Sequence, residues 1–388
     1  MKAAVRGRAA PKAPRAESVR SFVAAPPDVW LFGSVATLVA IGLIMIFSAS
    51  SAQAYADHRD TAYYVKHQAI YLIVGLIFAW GAYKIDYRKL RAFAPYALML
   101  SFIGLAAVLV PHVGVVVNGA RRWIGAGAVS LQPSEFAKLG LVLYLAAILS
   151  VRGEQIKSLT RGLGPLMFVT VLMAGLVLAE PDMGTASLLV FTTFAMLFAA
   201  GARWEHLVAI VLVTLPPTVL MVLASPYKRA RIFAFIDPWK DPQNTGFHIV
   251  QSLLALGSGG LTGVGVGESR AKFFYLPEQY TDFIFSVLGE EFGVAGTIAV
   301  VVLFLFFAYR AIRIAIAAPD RFGFFLAAGC TALITIQAFV NIGVVTSSWP
   351  VTGVPLPFIS FGGSSLIVSL ICVALVMNVG RFRRVNLE

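Results

Sequence analysis

The architecture follows from one junction, Lys272-Phe-Phe-Tyr-Leu-Pro-Glu-Gln-Tyr-Thr-Asp-Phe-Ile-Phe285, which ends a long polar segment and begins an apolar run. An apolar run that continues to Tyr309 is typical of a helix that crosses a bilayer, which needs roughly 20 residues. Asp282 is therefore expected where such a helix begins, facing water. A carboxylate at that position is more readily explained by chemistry than by packing.

The composition is that of a membrane protein. Of the 388 residues, 59% are hydrophobic and 13% are charged, whereas soluble domains carry about 25% charged residues. About ten apolar runs have a length that suits a bilayer-spanning helix: 29–47, 67–83, 93–110, 134–150, 163–178, 185–200, 207–223, 283–309, 322–345 and 356–379. The predicted fold class is all-α, a polytopic integral membrane protein with about ten transmembrane helices and a large extracytoplasmic loop between helices 7 and 8.

The basic residues indicate the orientation of these helices. Lysine and arginine are concentrated in alternate connections, while the opposite short loops contain few of them. By the positive-inside rule, both termini are predicted to be cytoplasmic. The formal net charge of +12 is explained by this distribution, so no nucleic-acid partner is expected.

Three regions follow from composition and charge. Residues 1–27, rich in Ala, Arg and Pro, are predicted to be a basic disordered cytoplasmic arm. Residues 28–384 are predicted to be the transmembrane domain, followed by a cytoplasmic tail at 385–388. Residues 224–281 are the predicted extracytoplasmic loop, where aromatic and basic residues are interleaved as in structures that lie along a membrane interface.

A glycine-rich segment, Gly257-Ser-Gly-Gly-Leu-Thr-Gly-Val-Gly-Val-Gly267, lies within that loop. A dinucleotide-binding interpretation fails because no strand and helix of an α/β unit flank it. Two interpretations stay open. The glycines permit tight turns or a close approach of the backbone to a ligand, or they form a flexible loop.

Further polar clusters lie at or near the outer ends of the predicted helices. Glu135 and Lys138, three residues apart on one helical face, are either an ion pair that braces the bundle or part of a site. Asp182 is either a helix cap or a cation ligand. Prolines and glycines between Val351 and Ser365 interrupt the beginning of the last apolar run, which is tolerated at membrane depth only inside protein or beside a cavity.

These motifs, in their order along the chain, resemble the SEDS family (shape, elongation, division and sporulation), the FtsW, RodA and SpoVE group of bacterial cell-wall polymerases. The resemblance is carried by Asn118-Gly-Ala-Arg-Arg-Trp-Ile124, Gln132-Pro-Ser-Glu-Phe-Ala-Lys138, Glu180-Pro-Asp-Met-Gly-Thr185, Asp237-Pro-Trp-Lys-Asp-Pro242, Gln251-Ser-Leu-Leu-Ala-Leu-Gly-Ser-Gly-Gly260, Leu276-Pro-Glu-Gln-Tyr-Thr-Asp-Phe-Ile-Phe285 and Pro357-Phe-Ile-Ser-Phe-Gly-Gly-Ser-Ser365. Most members have a histidine where Tyr280 stands. The stretch Val351–Phe358 and the basic arm favour the FtsW/SpoVE side of the family.

The resemblance implies a peptidoglycan glycosyltransferase that uses lipid II, the undecaprenyl-pyrophosphate-linked disaccharide-pentapeptide, as donor and acceptor. It would release undecaprenyl diphosphate, in cell division or a related septal process. The implied partners are a class B penicillin-binding protein and other membrane proteins of the division machinery. The implied location is the bacterial inner (cytoplasmic) membrane, with an extracytoplasmic active site.

The coupling of two lipid II units needs a base at the attacking 4-hydroxyl and cations at the departing diphosphate. Asp282 is the candidate base, with an N-cap on the eighth helix as its alternative role. Cations are expected from Arg121, Lys272 and the cluster Lys228, Arg229 and Arg231. The candidate substrate-binding residues are Arg121, Trp123, Glu135, Lys138, Asp182, Gln251, Lys272 and Ser364. A divalent cation, Mg²⁺ or Mn²⁺, is a further candidate, with Asp282 and Asp182 as its ligands.

Two other functions stay open on the sequence. A lipid II flippase would also place polar groups and broken helices inside the membrane, although the charged clusters gather on one face only. A non-enzymatic scaffold for the penicillin-binding protein would not need Asp282.

Overall fold

The computed structural model describes residues 26–117, 120–126, 129–273 and 275–382. These residues form twelve α-helices and one small sheet. The helices are α1 (Val29–His58), α2 (Tyr63–Lys84), α3 (Tyr87–Leu109), α4 (Pro133–Arg152), α5 (Gly164–Ala179), α6 (Met183–Ala199), α7 (Trp204–Ala224), α8 (Pro226–Ile236), α9 (Phe247–Ser258), α10 (Ile284–Ile316), α11 (Arg321–Val345) and α12 (Gly363–Arg381). The predicted arm, except for Pro26 and Pro27, and the predicted tail lie outside the described residues.

The helices confirm a polytopic all-α membrane protein. In the described part of the chain, eight helical stretches are long and apolar enough to cross a bilayer, and they contain α1 to α5 and α10 to α12. The predicted runs at 185–200 and 207–223 correspond to α6 and α7, so each of the apolar runs forms a helix. The core lies around α11 and α12, in whose most apolar stretches 67% and 89% of the residues are buried. In the corresponding stretch of α2 only 11% of the residues are buried, so this helix faces the surroundings of the bundle.

The predicted start of the last span at Leu356 is wrong, because α12 begins at Gly363. Pro355 and Pro357 have no N–H group to donate to a helical hydrogen bond, and Phe358 has a φ of 66°. Instead, the Ser360 hydroxyl accepts a hydrogen bond from the backbone N–H of Leu356 at 2.8 Å. Residues 350–362, the 350–362 segment, therefore have an irregular backbone conformation before α12 begins.

A three-stranded antiparallel sheet joins α3 to α4 and was not predicted. Its strands are β1 (Gly114–Val117), β2 (Ala120–Ala126) and β3 (Val129–Leu131), in that spatial order. The sequence does carry a signal, since Val115-Val-Val117 precedes Asn118-Gly119, and Asn-Gly between apolar runs is typical of a hairpin. Pairing of Val116 with Arg121 and of Val115 with Trp123 fixes the position of β2.

Helix α10 is broken at Gly293, which has φ 66° and ψ −164°. The glycine-rich segment supplies hydrogen-bond partners there. The N–H of Val264 donates to the carbonyl of Glu290 at 3.0 Å, and the N–H of Val294 donates to the carbonyl of Gly260 at 2.9 Å. Broken backbone inside a membrane bundle needs such partners. The close approach that the glycines permit is thus to α10.

We expect Gly263→Ala to destabilise the protein by about 2 kcal/mol or more. Gly263 has a φ of 83°, which costs a non-glycine residue roughly 1–2 kcal/mol, and an added Cβ would overlap the carbonyl of Glu291. Thermal unfolding of the purified protein in detergent measures the effect. The control is Gly257→Ala in α9, where an added Cβ meets nothing within 4 Å. Equal melting temperatures for the two variants would contradict this account of the glycine-rich segment.

Candidate active site

Asp282 lies two residues before the start of α10, and neighbouring elements hold its backbone in place. The Asn341 side chain of α11 donates to the carbonyl of Asp282 and to the carbonyl of Val354, each at 2.8 Å. The 350–362 segment contacts the two preceding residues. The N–H of Phe361 donates to the carbonyl of Tyr280 at 2.9 Å, and the Ser360 hydroxyl donates to the carbonyl of Thr281 at 2.5 Å. The position of Asp282 is therefore fixed through the main chain, which leaves its side chain available.

The interpretation of Asp282 as an N-cap is wrong. The N-cap position of α10 is Phe283, and no side chain makes a capping hydrogen bond there. By contrast, Asp28, Asp86 and Asp320 each accept a hydrogen bond from a backbone N–H in the first turn of their helices. Among the residues that the structure describes, no hydrogen bond or ion pair engages the Asp282 carboxylate. A carboxylate without fixed donors is a better base.

The surroundings of Asp282 tune its acidity. Burial of the carboxyl group, and then the negative charges of Glu278 and Asp182, raise the pKa of Asp282 to about 7, against the opposing influence of Arg122 and Arg231. A general base works best when its pKa lies near the operating pH. Asp282 combines this property with partial exposure to solvent.

The cations that act on Asp282 are Arg122 and Arg231. The Arg122 guanidinium, on β2, donates to the carbonyl of Glu180 at 3.1 Å and to the carbonyl of Pro181. Arg231, on α8, donates to the carbonyl of Val351 at 3.3 Å. Arg231 belongs to the cation cluster predicted from the sequence, whereas on β2 the sequence prediction is Arg121, the neighbour of Arg122.

The connection between α5 and α6 adds two acidic residues. Asp182 caps α6 by accepting from the N–H of Thr185 at 2.9 Å, and its other oxygen accepts from the Gln132 side chain at 3.4 Å. The Glu180 carboxyl group is fully buried, and neither oxygen has a hydrogen-bond partner among the described residues. Burial, with the charge of Asp182, raises the pKa of Glu180 to about 8. Burial thus favours the protonated form of Glu180 at neutral pH. Glu180 is not among the site residues predicted from the sequence.

Glu135 and Lys138 form a buried ion pair at 2.8 Å, with their side chains 3% and 1% exposed. Lys138 also donates to the Gln337 side-chain oxygen of α11 at 2.7 Å. The Gln337 amide in turn donates to the carbonyl of Pro355 at 3.0 Å. This chain of contacts connects α4 to α11 and to the 350–362 segment, so the pair braces the elements that hold Asp282.

The other candidate residues have varied positions. Ser364 is buried and accepts from the N–H of Gln132 at 2.9 Å, which joins the starts of α12 and α4. Lys272 is buried and donates to the carbonyl of Gly267. Trp123 is half-buried on β2 and Gln251 is half-buried on α9. The side chain of Lys228 lies outside the described residues.

The expected divalent cation has no complete protein site in the described ranges, because no three His, Cys, Asp or Glu side chains there come close enough to hold a metal. One oxygen of Asp182 is occupied by the Thr185 N–H. Mg²⁺ is often held by one or two carboxylates together with substrate phosphates and water. Magnesium or manganese binding by Asp282 and Asp182 stays a prediction.

An apolar cavity of about 390 Å³ lies along the first part of α2. It is lined by residues of α2, β3, α4 and α12, namely His67, Ile70, Tyr71, Val74, Phe78, Leu131, Phe136, Ile367 and Ile371. A larger cavity of about 570 Å³ lies along α1, α2 and α12 near Tyr83, towards the end of α2 away from Asp282. The first cavity therefore has the better position for the hydrocarbon part of a substrate.

Comparison with known proteins gives one family. The profile of the FtsW, RodA and SpoVE family, described as "Cell cycle protein", matches residues 29–385. The chain is 44% identical over 358 residues to stage V sporulation protein E of Bacillus subtilis, which covers 92% of this chain and 98% of that protein. It is 43% identical over 352 residues to a probable peptidoglycan glycosyltransferase FtsW of Geobacter metallireducens, covering 91% and 94% of the two chains.

Solved structures agree with this result. The fold matches a chain in a peptidoglycan synthase complex, described as coordinating polymerization and crosslinking, with a TM-score of 0.76, 32% identity and coverage of 92% and 98%. It also matches the rod shape determining protein RodA of Thermus thermophilus with a TM-score of 0.68, 30% identity and coverage of 93% and 98%.

Proposed function

The chain belongs to the FtsW, RodA and SpoVE family, and on that premise we propose that Asp282 is the base with which it joins the sugars of lipid II. The activity of the chain is that of a peptidoglycan glycosyltransferase, which serves cell division or sporulation. The observation that carries the assignment of Asp282 is its carboxylate, which no hydrogen bond or ion pair engages among the described residues and on which the charges of Arg122 and Arg231 act.

The reaction forms a bond between the 4-hydroxyl oxygen of one sugar and C1 of another, and it breaks the bond from C1 to the diphosphate. The Asp282 carboxylate takes the hydroxyl proton as the new bond forms. The diphosphate leaves with the electron pair of the broken bond. Because a diphosphate is already a good leaving group, no second carboxylic acid is needed, in contrast to glycoside hydrolysis.

Arg122 and Arg231 are the proposed partners of the departing diphosphate. Fixed cations stabilise charge as it develops, and they do so most strongly where water is excluded. Arg122 is oriented by the carbonyls of Glu180 and Pro181, and Arg231 by the carbonyl of Val351. The apolar cavity of about 390 Å³ among α2, β3, α4 and α12 suits part of the isoprenoid chain.

The proposed orientation places Asp282 on the extracytoplasmic side of the bacterial inner membrane, with both termini in the cytoplasm. The alternation of basic residues along the chain supports this orientation. The proposed partners are a class B penicillin-binding protein and other membrane proteins of the division machinery. The fold match to a chain of a peptidoglycan synthase complex supports the first of these partners.

The test of this function is glycan synthesis from lipid II by the purified chain in detergent, run from pH 5.5 to 8.5. Polymer formed without a membrane to cross would exclude transport or scaffolding as the sole activity. Since only the ionised carboxylate accepts a proton, the rate should rise with pH through about 7 and level off above it. Below that pKa it should fall about tenfold per pH unit.

Melting temperatures recorded at each pH serve as the control, because they separate titration of the base from unfolding. A preparation that binds lipid II yet forms no polymer at any pH would contradict the activity. A flat rate between pH 5.5 and 8.5 would contradict Asp282 as the base.

A further inference from the structure

Six aromatic side chains form a continuous row beside Asp282. His58 stacks on Tyr63 with ring centroids 3.6 Å apart, and Tyr63 contacts Tyr64 at 5.3 Å. Tyr64 lies against Tyr280 at 4.4 Å. The remaining members are His67, 4.2 Å from Tyr63, and Phe361, 5.8 Å from Tyr280. These six residues are called the aromatic row below.

The aromatic row is partly exposed and reaches the chain segment that carries Asp282. His58 is exposed, and the other five residues are half-buried. Tyr280 precedes Asp282 by two residues, and its carbonyl accepts from the N–H of Phe361 at 2.9 Å. At the opposite end, His67 is also a wall of the cavity of about 390 Å³. The row therefore connects the proposed base with the neighbourhood of the proposed lipid site.

Polar groups accompany the rings. The negative charges of Glu278 and Asp57 act on the Tyr280 hydroxyl, which also hydrogen-bonds to Tyr64. Asp60 and Lys66 form an exposed ion pair at 2.7 Å between the ends of α1 and α2. Aromatic faces flanked by hydrogen-bonding groups match a pyranose ring, which presents C–H groups on its face and hydroxyls at its edge.

We propose that the aromatic row binds the sugar rings of the growing glycan strand beside Asp282. This inference rests on the proposed function, because a glycan must be present to be bound. An aromatic belt at a membrane interface is the competing explanation. It accounts for aromatic residues at helix ends, but not for a contiguous row that crosses from α1 and α2 to the residues directly before Asp282.

The first test compares Tyr64→Leu with Tyr275→Leu, a tyrosine of the loop before α10 that is 61% exposed and lies outside the row. The readout is the length distribution of glycan made from lipid II in detergent, together with the initial rate of lipid II consumption. A strand that binds less tightly dissociates sooner, so Tyr64→Leu should shorten the product about threefold to tenfold. Its initial rate should change less, and Tyr275→Leu should match the wild type.

The second test uses a soluble N-acetylglucosamine tetrasaccharide with the wild-type protein and both variants. Saturation-transfer NMR should show contact of the sugar with the wild type and Tyr275→Leu, and a loss of that contact in Tyr64→Leu. Matching melting temperatures would show that each variant is folded. If Tyr64→Leu is unstable, Tyr63→Leu replaces it in both tests.

Two outcomes would overturn the inference. One is glycan of wild-type length from a folded row variant, and the other is equal shortening by the row variant and by Tyr275→Leu. Both leave polymer synthesis intact, so they differ from a failure of the proposed function, in which wild-type protein makes no polymer.

Discussion

Lys138→Met should lower the free energy of unfolding by about 3–5 kcal/mol, because it leaves the Glu135 carboxylate buried without its partner. The Glu135 and Lys138 side chains are 3% and 1% exposed and 2.8 Å apart, so bulk water does not solvate the carboxylate that is left. The Gln337 side-chain oxygen would lose its donor as well. Unfolding of the purified protein in detergent, followed by denaturant titration or heating, measures this change.

The double variant Glu135→Gln/Lys138→Met should be more stable than Lys138→Met alone, since removing both charges removes the unpaired one. The matched control is Lys157→Met. Lys157 pairs with Glu154, also three residues away, and the Lys157 Nζ and Glu154 Oε2 atoms are 2.6 Å apart. The Lys157 and Glu154 side chains, however, are 49% and 85% exposed. An exposed pair contributes about 0–1 kcal/mol. Equal destabilisation by Lys138→Met and Lys157→Met would show that the buried pair does not brace the bundle.

The helical framework is predictable from this sequence because an apolar run long enough to cross a bilayer must pair its backbone groups internally, and a helix does so. Each apolar run became a helix, including α10, which follows the junction at Asp282. Boundaries were harder to predict where backbone irregularity is stabilised by distant residues. The side chains of Gln337 and Asn341 on α11 hydrogen-bond to the 350–362 segment. The local sequence of that segment does not indicate these contacts.

The break in α10 at Gly293 was missed for the same reason. Its hydrogen-bond partners come from residues 260–265, about thirty positions earlier in the chain. A close approach of these glycines to a ligand is one of the two interpretations that the sequence leaves open, but the group they approach is the backbone of α10. The sheet, by contrast, has a local sequence signal, the hairpin dipeptide Asn118-Gly119. The prediction of an all-α fold does not use that signal.

The candidate site was predictable in kind but not in detail. Asp282 stood out because it begins an apolar helix, and its position before α10 agrees with that expectation. The choice between Arg121 and Arg122 depends on which way each side chain leaves β2, and this follows from strand register. Glu180 was missed because a carboxyl group without a partner is visible only once the packing around it is known.

Asp282→Asn should abolish glycan synthesis, with a loss of at least about 10²–10⁴-fold, the range that a positioned general base contributes. Asparagine has nearly the same shape but cannot take the proton of the attacking hydroxyl. The fold should survive, because Asn341 holds residue 282 through its backbone carbonyl. Removal of a charge that burial disfavours should leave the melting temperature equal or slightly higher.

The control for this substitution is Asp86→Asn, the same chemical change at the N-cap of α3. Asp86 accepts from the N–H of Arg88 at 2.9 Å, and asparagine caps a helix as well as aspartate does. Asp86→Asn should therefore retain the activity of the wild type. A loss confined to position 282 would separate the missing base from a general effect of removing a carboxylate.

The decisive measurement is the amount of glycan that purified Asp282→Asn makes from lipid II in detergent, with the wild type and Asp86→Asn assayed alongside. We predict polymer from the wild type and from Asp86→Asn, and none above background from folded Asp282→Asn. Polymer at the wild-type rate from Asp282→Asn would contradict the assignment of Asp282 as the base.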